Sequence, residues 1–323
     1  MIIITGAAGF IGSCFLRKLN DEGLEDLFLV DQLDHPEKKR NLEEKRYTDY
    51  LEKDDFLPAL LDGKLGEKIE AIFHLGACSS TTETNAAYLT ENNYEYSKKL
   101  AEFCFSKNIY FSYASSAATY GDGSEGYSDR DSDLDKLKPL NLYGESKHHF
   151  DLWLRDHDLF KKVIGFKFFN VFGPNEYHKG EMRSVVCKAY EQIRDTGSLK
   201  LFKSHRPDYK DGEQKRDFVY IQDVVDFMFE AFERRDIQGL FNLGTGEART
   251  WNDLATAVFR ALNQEPKIEY IDMPDSIREK YQYFTEADMT KTREAGFKTS
   301  FRSLEDAVSD YVQNYLAQNF KCL

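Results

Sequence analysis

Tyr143-Gly144-Glu145-Ser146-Lys147 places a phenol and an ammonium four residues apart, so on a helix both side chains leave the same face. An adjacent Lys⁺, together with a positively charged nicotinamide, lowers the pKa of the tyrosine toward neutrality. A phenol that titrates nearer neutrality works as a general acid or base. Spacing alone does not single out this pair, because Tyr94 and Lys98 repeat it inside a segment that reads as structural helix. What sets Tyr143 apart is Ala114-Ser115-Ser116-Ala117-Ala118-Thr119-Tyr120-Gly121, which follows an apolar strand. A serine at that strand end, Ser116, can hydrogen-bond the same substrate oxygen that Tyr143 protonates.

A second constellation is made of glycines. The apolar run Met1-Ile2-Ile3-Ile4 breaks into Thr5-Gly6-Ala7-Ala8-Gly9-Phe10-Ile11-Gly12, and a helical pattern follows from Ser13. Strand, glycine turn and helix N-terminus in that order hold a dinucleotide pyrophosphate. Gly6 permits the tight turn, Gly9 lets backbone N–H groups approach phosphate, and Gly12 lets helix and strand pack closely. Leu27-Phe28-Leu29-Val30 reads as the next strand and delivers Asp31 nineteen residues after Gly12, near the spacing of an acid that accepts the adenosine ribose hydroxyls. A carboxylate there favours NAD by repelling a 2′-phosphate. Lys38, Lys39 and Arg40 are able to neutralise one, so on the residues alone both NADP and NAD stay open.

These residues need a sheet to hold them. Apolar stretches at 71–75, 109–113 and 163–168 alternate with helical patterns, notably at 84–107 and 143–158. The alternation predicts an α/β fold: a Rossmann-type doubly wound parallel sheet with helices on both faces, joined by a smaller α/β substrate-binding domain. Residues 1–169 are expected to form the dinucleotide-binding domain. Segments at about 216–245 are expected to return to it, with Phe218-Val219-Tyr220 and Phe241-Asn242-Leu243-Gly244 as strands of the main sheet. Residues 170–215 and 246–323, with helices near 250–262 and 301–318, are left for substrate.

Composition narrows the class. A chain of 323 residues that is 41% hydrophobic can build a real core, yet it holds no apolar run long enough to span a bilayer. The run at residues 1–4 reads as a strand, not a signal peptide. A net charge of −13 argues against nucleic acid as partner. The five cysteines, Cys14, Cys78, Cys104, Cys187 and Cys322, are scattered, without metal spacing or a disulfide framework. The expectation is a cytoplasmic, metal-free enzyme acting on a small molecule.

The glycine turn, the strand-end Ser116 and the Tyr143/Lys147 pair together resemble the extended short-chain dehydrogenase/reductase family, the group of NAD-dependent epimerases and dehydratases. Ser116, Tyr143 and Lys147 match its catalytic triad. Further segments are similar to the branch of that family that inverts C6 of an ADP-linked heptose for lipopolysaccharide core synthesis. They are His74-Leu75-Gly76-Ala77-Cys78-Ser79-Ser80-Thr81-Thr82-Glu83, Phe169-Asn170-Val171-Phe172-Gly173-Pro174, His178-Lys179-Gly180, Lys215-Arg216-Asp217-Phe218-Val219-Tyr220 and Phe241-Asn242-Leu243-Gly244-Thr245-Gly246.

The resemblance implies that hydride leaves C6 to give a ketone and returns to the opposite face. It implies Tyr143 and Lys179 as the two acid/base residues and Lys147 as a holder of the nicotinamide ribose. Implied coenzyme contacts are Gly6, Gly9, Phe10, Ile11, Gly12, Asp31, Gln32, Lys38, Lys53, Leu75, Gly76, Ala77, Cys78, Ser79, Asn92 and Val171, together with Tyr143, Lys147 and Lys179. Implied substrate contacts are Ser116, Asn170, Glu181, Lys188, Phe202, Lys203, Ser204, Arg216 and Tyr281. Glu181 and Lys188 depart from the small polar residue and the histidine of the family pattern. Tightly held NADP and a homo-oligomer, typically a pentamer, are implied as well.

Plainer readings stand beside these. Lys179 fits a solvated loop lysine, and Arg216, a fitting diphosphate clamp, also fits an arginine paired with a neighbouring acid. His148 and His149 read as helix-face residues and Cys78 as a small packing residue. Two other functions remain. One is another nucleotide-sugar epimerase or a 4,6-dehydratase; Ala117-Ala118 stands where a dehydratase carries Asp-Glu. The other is a coenzyme-sensing regulatory protein, in which the tyrosine or lysine would be missing.

Overall fold

The computed structural model describes residues 1–66, 68–278 and 281–323. Its strands are β1 (Ile2–Thr5), β2 (Leu27–Asp31), β3 (Asp49–Glu52), β4 (Ala71–His74), β5 (Tyr110–Ser116), β6 (Val163–Phe168), β7 (Asn170–Phe172), β8 (Leu199–Phe202), β9 (Lys215–Tyr220), β10 (Gly239–Leu243), β11 (Ala248–Thr250) and β12 (Ile268–Ile271). The helices are α1 (Phe10–Asp21), α2 (Pro36–Arg40), α3 (Lys53–Leu61), α4 (Ala86–Leu89), α5 (Tyr96–Lys107), α6 (Leu142–Asp156), α7 (Val185–Thr196), α8 (Ile221–Glu233), α9 (Trp251–Ala261), α10 (Asp275–Arg278), α11 (Thr290–Glu294) and α12 (Leu304–Tyr311).

Seven strands form one parallel sheet in the order β10-β6-β5-β4-β1-β2-β3. β1 is central, with Ile2 opposite Leu27 on one side and Ala71 on the other. Strands β1, β2, β4 and β6 are buried at every position, as expected when helices cover both faces. Alternate side chains of β1 feed two cores. Ile2 and Ile4 pack with Phe15, Leu19, Phe73 and Phe227, whereas Ile3 packs with Phe56, Ile72, Leu100 and Phe111. The Phe15 and Phe73 rings lie 4.5 Å apart, and truncating such a buried phenylalanine costs about 3–5 kcal/mol.

The order of strands creates the site. From β1 the chain runs outward to β2 and β3, then crosses back to lay β4 on the other side of β1. The direction of winding reverses between β1 and β4, and a crevice opens beyond their carboxyl ends. The glycine turn after β1 and the 75–79 turn after β4 are its two lips.

Two expectations need correction. Phe218-Val219-Tyr220 does not return to the main sheet: β9 pairs with β7 and β11 in a separate three-stranded sheet, and β10 alone of the two rejoins beside β6. A short buried apolar run carries no information about which sheet takes it. The helix expected over 84–107 is three pieces, α4, a π-helical stretch Thr90–Glu95 and α5. Among the described residues, no helix is long and apolar enough to cross a membrane.

Candidate active site

A cavity of about 680 Å³ occupies the crevice. It is lined by Gly6, Gly9, Phe10, Ile11, Gly12, Asp31, Gln32, Lys38, Lys53, Leu75, Gly76, Ala77, Cys78, Ser79, Asn92, Tyr143, Lys147, Val171 and Lys179, and also by Ser116 and Asn170.

The glycine turn is fixed by close approach. Gly6 has φ +70°, and a Cβ on it would stand 2.6 Å from the Gly76 nitrogen of the opposite lip. A Cβ on Gly12 would stand 2.0 Å from the Gly6 carbonyl oxygen. No side chain caps α1 at Gly9, which leaves the first N–H groups of the helix for a ligand, the arrangement that suits a pyrophosphate.

Asp31 does more here than wait for a ribose. Its Oδ2 accepts from Ala8 N (2.8 Å) and Gly9 N (3.2 Å), and its Oδ1 from Gln32 N (2.7 Å) and Lys38 Nζ (3.1 Å). Because β2 lies beside β1, the carboxylate ending β2 meets the amides of the turn that ends β1. Lys38 is shared with Asp34 at 3.0 Å.

The 75–79 turn is held from behind by residues that the sequence did not single out. Asn93, in the π-helical stretch, accepts from Cys78 N and donates to Cys78 O, both at 2.9 Å, and also donates to Ser146 Oγ at 3.0 Å. The wider π turn brings adjacent asparagines to the cleft, and Asn92 Oδ1 accepts from Lys53 Nζ at 2.9 Å. His74 Nδ1 meets Thr5 Oγ1 at 2.7 Å and Nε2 meets Ser97 Oγ at 2.8 Å. Ser97 Oγ donates onward to Asn93 O, so the ring must donate from Nε2 and accept at Nδ1. Burial pushes its pKa down to about 3, which keeps it neutral.

Tyr143 and Lys147 stand on α6, whose N-terminus is capped by Asn141 Oδ1 accepting from Gly144 N at 2.8 Å. Lys147 is 5% exposed and donates to the Ala114 carbonyl at 2.8 Å. Burial brings its pKa down to about 8, against the opposing charge of Asp151. The protein's own groups do not lower the Tyr143 pKa. Burial raises it, and the Ser116 hydroxyl opposes the rise. The reason is that the phenolate loses its water while the Lys147 ammonium is committed to a backbone carbonyl. The expected lowering therefore also needs the positive charge of a bound nicotinamide.

Lys179 lies on the 3-10 turn Tyr177–Met182, its ammonium 5.4 Å from the centre of the Phe10 ring. It is half-buried, not a solvated loop lysine. Among the described residues its ammonium has no ion pair and no hydrogen bond. Burial lowers its pKa, and the charge of Glu176 opposes that. His178 lines the cavity too; its Nδ1 is buried without a partner, and burial takes its pKa down to about 4.

The expected substrate residues divide. Arg216 is 6% exposed and, among the described residues, has no carboxylate partner, which weighs against the plainer reading of it. Its guanidinium lies 5.7 Å from the Trp251 ring and 5.3 Å from the Tyr281 ring and donates to the carbonyls of Lys215 and Gln282. Arg216 and Tyr281 stand outside the cavity wall, and Trp251, which lines it, joins them by donating Nε1–H to Tyr281 Oη at 2.9 Å. Asp217 braces this corner by accepting from Thr245 N, Thr245 Oγ1, Gly246 N and Ala287 N. Phe202, Lys203, Ser204, Glu181 and Lys188 do not line the cavity either. Lys203 is paired with Asp272 at 3.2 Å, Ser204 N donates to Asp211, and Lys188 Nζ donates to the Glu181 carbonyl at 3.0 Å. Trp251 was missed, although a rare tryptophan directly after the Thr250 helix cap was a usable signal. Cys78 is half-buried in the cavity wall, and all five cysteines are free.

Comparisons with known proteins agree with this architecture. Residues 2–244 match the model of the NAD dependent epimerase/dehydratase family. A protein of Nitratidesulfovibrio vulgaris strain DP4 named ADP-L-glycero-D-manno-heptose-6-epimerase is 54% identical over 317 residues, covering 98% of each chain. One of the same name from Fusobacterium nucleatum is 48% identical over 327 residues, again covering 98% of each. The crystal structure of the Helicobacter pylori ADP-L-glycero-D-manno-heptose-6-epimerase superposes with a TM-score of 0.81 at 27% identity, over 97% of this chain and 95% of that one.

Proposed function

The chain belongs to the NAD dependent epimerase/dehydratase family, and within it we propose that the protein converts ADP-D-glycero-D-manno-heptose to ADP-L-glycero-D-manno-heptose by inversion at C6, a step toward lipopolysaccharide core. When bound, the nicotinamide coenzyme supplies a hydride acceptor and returns the hydride, so the sugar passes through a ketone. The free amides of α1, the Asp31–Lys38 pair and the 75–79 turn fit the dinucleotide, and Lys147 fits its nicotinamide ribose.

The observation that carries the reading is one cavity shared by the glycine turn and two separate proton-transfer groups, Tyr143 on α6 and Lys179 on the 177–182 turn. A C–H beside a hydroxyl, with no adjacent carbonyl, is too weakly acidic for any side chain in this cavity. Tyr143 and Lys179 therefore act on oxygen: one takes the C6 hydroxyl proton as the ketone forms, and the other returns a proton after the ketone has turned. Ser116 hydrogen-bonds that oxygen. Arg216, desolvated and without a carboxylate partner among the described residues, is suited to the ADP diphosphate. NADP is the expected coenzyme, supported by Lys38, whose ammonium neutralises Asp31 at the cavity wall. A homo-oligomer, pentameric by family resemblance, and residence in the cytoplasm complete the reading.

Purified protein incubated with ADP-D-glycero-D-manno-heptose, without added coenzyme, should yield the L-glycero epimer when the products are resolved. Turnover of UDP-glucose with no turnover of the ADP-heptose would instead assign another nucleotide-sugar epimerase.

A further inference from the structure

Three residues before Lys179, the carboxylate of Glu176 is buried with no solvent exposure and gathers donors from three other parts of the fold. Its Oε1 accepts from Ser184 Oγ (2.6 Å), Tyr311 Oη (3.0 Å) and Gly173 N (3.5 Å), and its Oε2 from Ser184 N (2.5 Å). Its backbone carbonyl accepts from Lys179 N at 3.0 Å and closes the turn. One side chain thus fastens the Lys179 turn to the start of α7, to α12 and to the loop after β7. Backbone N–H groups, which only donate, face both carboxylate oxygens, and that favours the charged form. The donor set is built for the charged form.

We propose that Glu176 is a positioning residue for the epimerisation: it pins the turn that carries Lys179 and supplies the fixed negative charge that keeps the Lys179 ammonium chargeable in a desolvated site. The inference rests on the reading of Lys179 as an acid/base residue.

The physical need is plain. A buried ammonium without a hydrogen bond is driven toward its neutral form, and an amine that stays neutral at working pH has no proton to return. Phe10 faces Lys179 with only a ring, so Glu176 is the nearby anion that opposes burial. Burial raises the pKa of Glu176 in turn, and Ser184, Lys179 and Tyr311 work against that rise. The other titratable groups around the pair are His178 and Tyr177 on the same turn, the Tyr177 phenol pushed well up by burial, Lys38 and His35 across from it, Cys14 on α1 and Cys187 on α7. His178 is held to about 4 and both thiols are pushed up to about 12, so none of these three changes charge across the range in which activity is measured. Lys38 remains bound to Asp31 and Asp34.

The test is the pH profile of kcat/KM for the coenzyme-loaded protein. Glu176→Gln keeps the size and removes the charge; its amide N–H also faces a backbone donor, so thermal denaturation first establishes that the variant is folded. The limb governed by Lys179 should move to lower pH by about one unit, while the other limb stays in place. Tyr311→Phe removes a donor and leaves the carboxylate charged, so both limbs should stay in place. A purely structural Glu176 would scale activity down at every pH without displacing a limb; that result in Glu176→Gln, or a Tyr311→Phe profile displaced as far as that of Glu176→Gln, overturns the proposal. Lys179→Ala separates the two levels. Full activity there removes the acid/base reading itself, whereas an inactive Lys179→Ala beside an unmoved Glu176→Gln profile removes the role of Glu176 alone.

Discussion

Lys167 Nζ and Asp151 Oδ2 meet at 2.9 Å with neither side chain exposed at all, and their ion pair ties β6 to the helix that carries Tyr143 and Lys147. Asp151 also accepts from Tyr113 Oη at 2.9 Å and Ser115 Oγ at 2.7 Å, and Lys167 donates to Thr119 Oγ1 at 2.5 Å. Three neighbours thus keep both charges satisfied beneath the site.

Breaking the pair from one side should be severe. Asp151→Ala or Lys167→Met leaves a buried charge uncompensated, at a cost of about 3–5 kcal/mol. The double variant Asp151→Ala/Lys167→Met should cost less than the sum of the two single changes. Chemical denaturation checks this, and additive losses would show that the pair does not act as a unit.

Tyr143→Phe should lower kcat by roughly 10²–10⁴-fold and barely change the melting temperature, since only the proton-transfer group is lost. Tyr94→Phe is the control, because Tyr94 packs edge-on against His149 at 6.4 Å and does not line the cavity. Near-normal turnover in Tyr143→Phe would give its role to another residue.

Lys38→Glu places a third carboxylate beside Asp31 and Asp34. The nucleotide released on denaturation should change from NADP toward NAD. An unchanged ratio by chromatography would mean that the 2′-phosphate is held elsewhere.

Acid should destabilise the fold through its histidines. His74 is held to about 3, and His148 and His178 to about 4, mainly by burial, against 6.5 in the unfolded chain. These pKa values are depressed, so below about 6.5 the unfolded chain takes up protons that the folded one refuses. Stability therefore falls with pH from there until the folded values are reached. Denaturation between pH 7 and 4 should show this slope, and His74→Gln should make it shallower by about one proton. The same slope in that variant would exclude His74 as a source.

The first half of the molecule was legible because β1, the glycine turn and α1 are contiguous, and because β2, β4, β5 and β6 are mainly apolar runs between helical patterns. The second half was legible only at β10, α9 and α12, for the rest is built from strands as short as β7 and β11, which carry no readable period. Long-range polar contacts were invisible for a different reason. Nothing local in Asn93, Asp151 or Glu176 announces the partners that the fold brings to them. Asp31 shows the limit from the other side: its spacing announced an acid at the coenzyme but not its grip on the Ala8 and Gly9 amides. Arg216 was legible as a cation before a strand, whereas its seat between Trp251 and Tyr281 depended on residues far along the chain.

The central claim is that C6 is inverted by hydride transfer, with Tyr143 and Lys179 acting on oxygen and never on carbon. Run in deuterated water with ADP-D-glycero-D-manno-heptose, the reaction should give an L-glycero product free of deuterium at C6 by NMR or mass spectrometry. Stoichiometric deuterium at that carbon would contradict it.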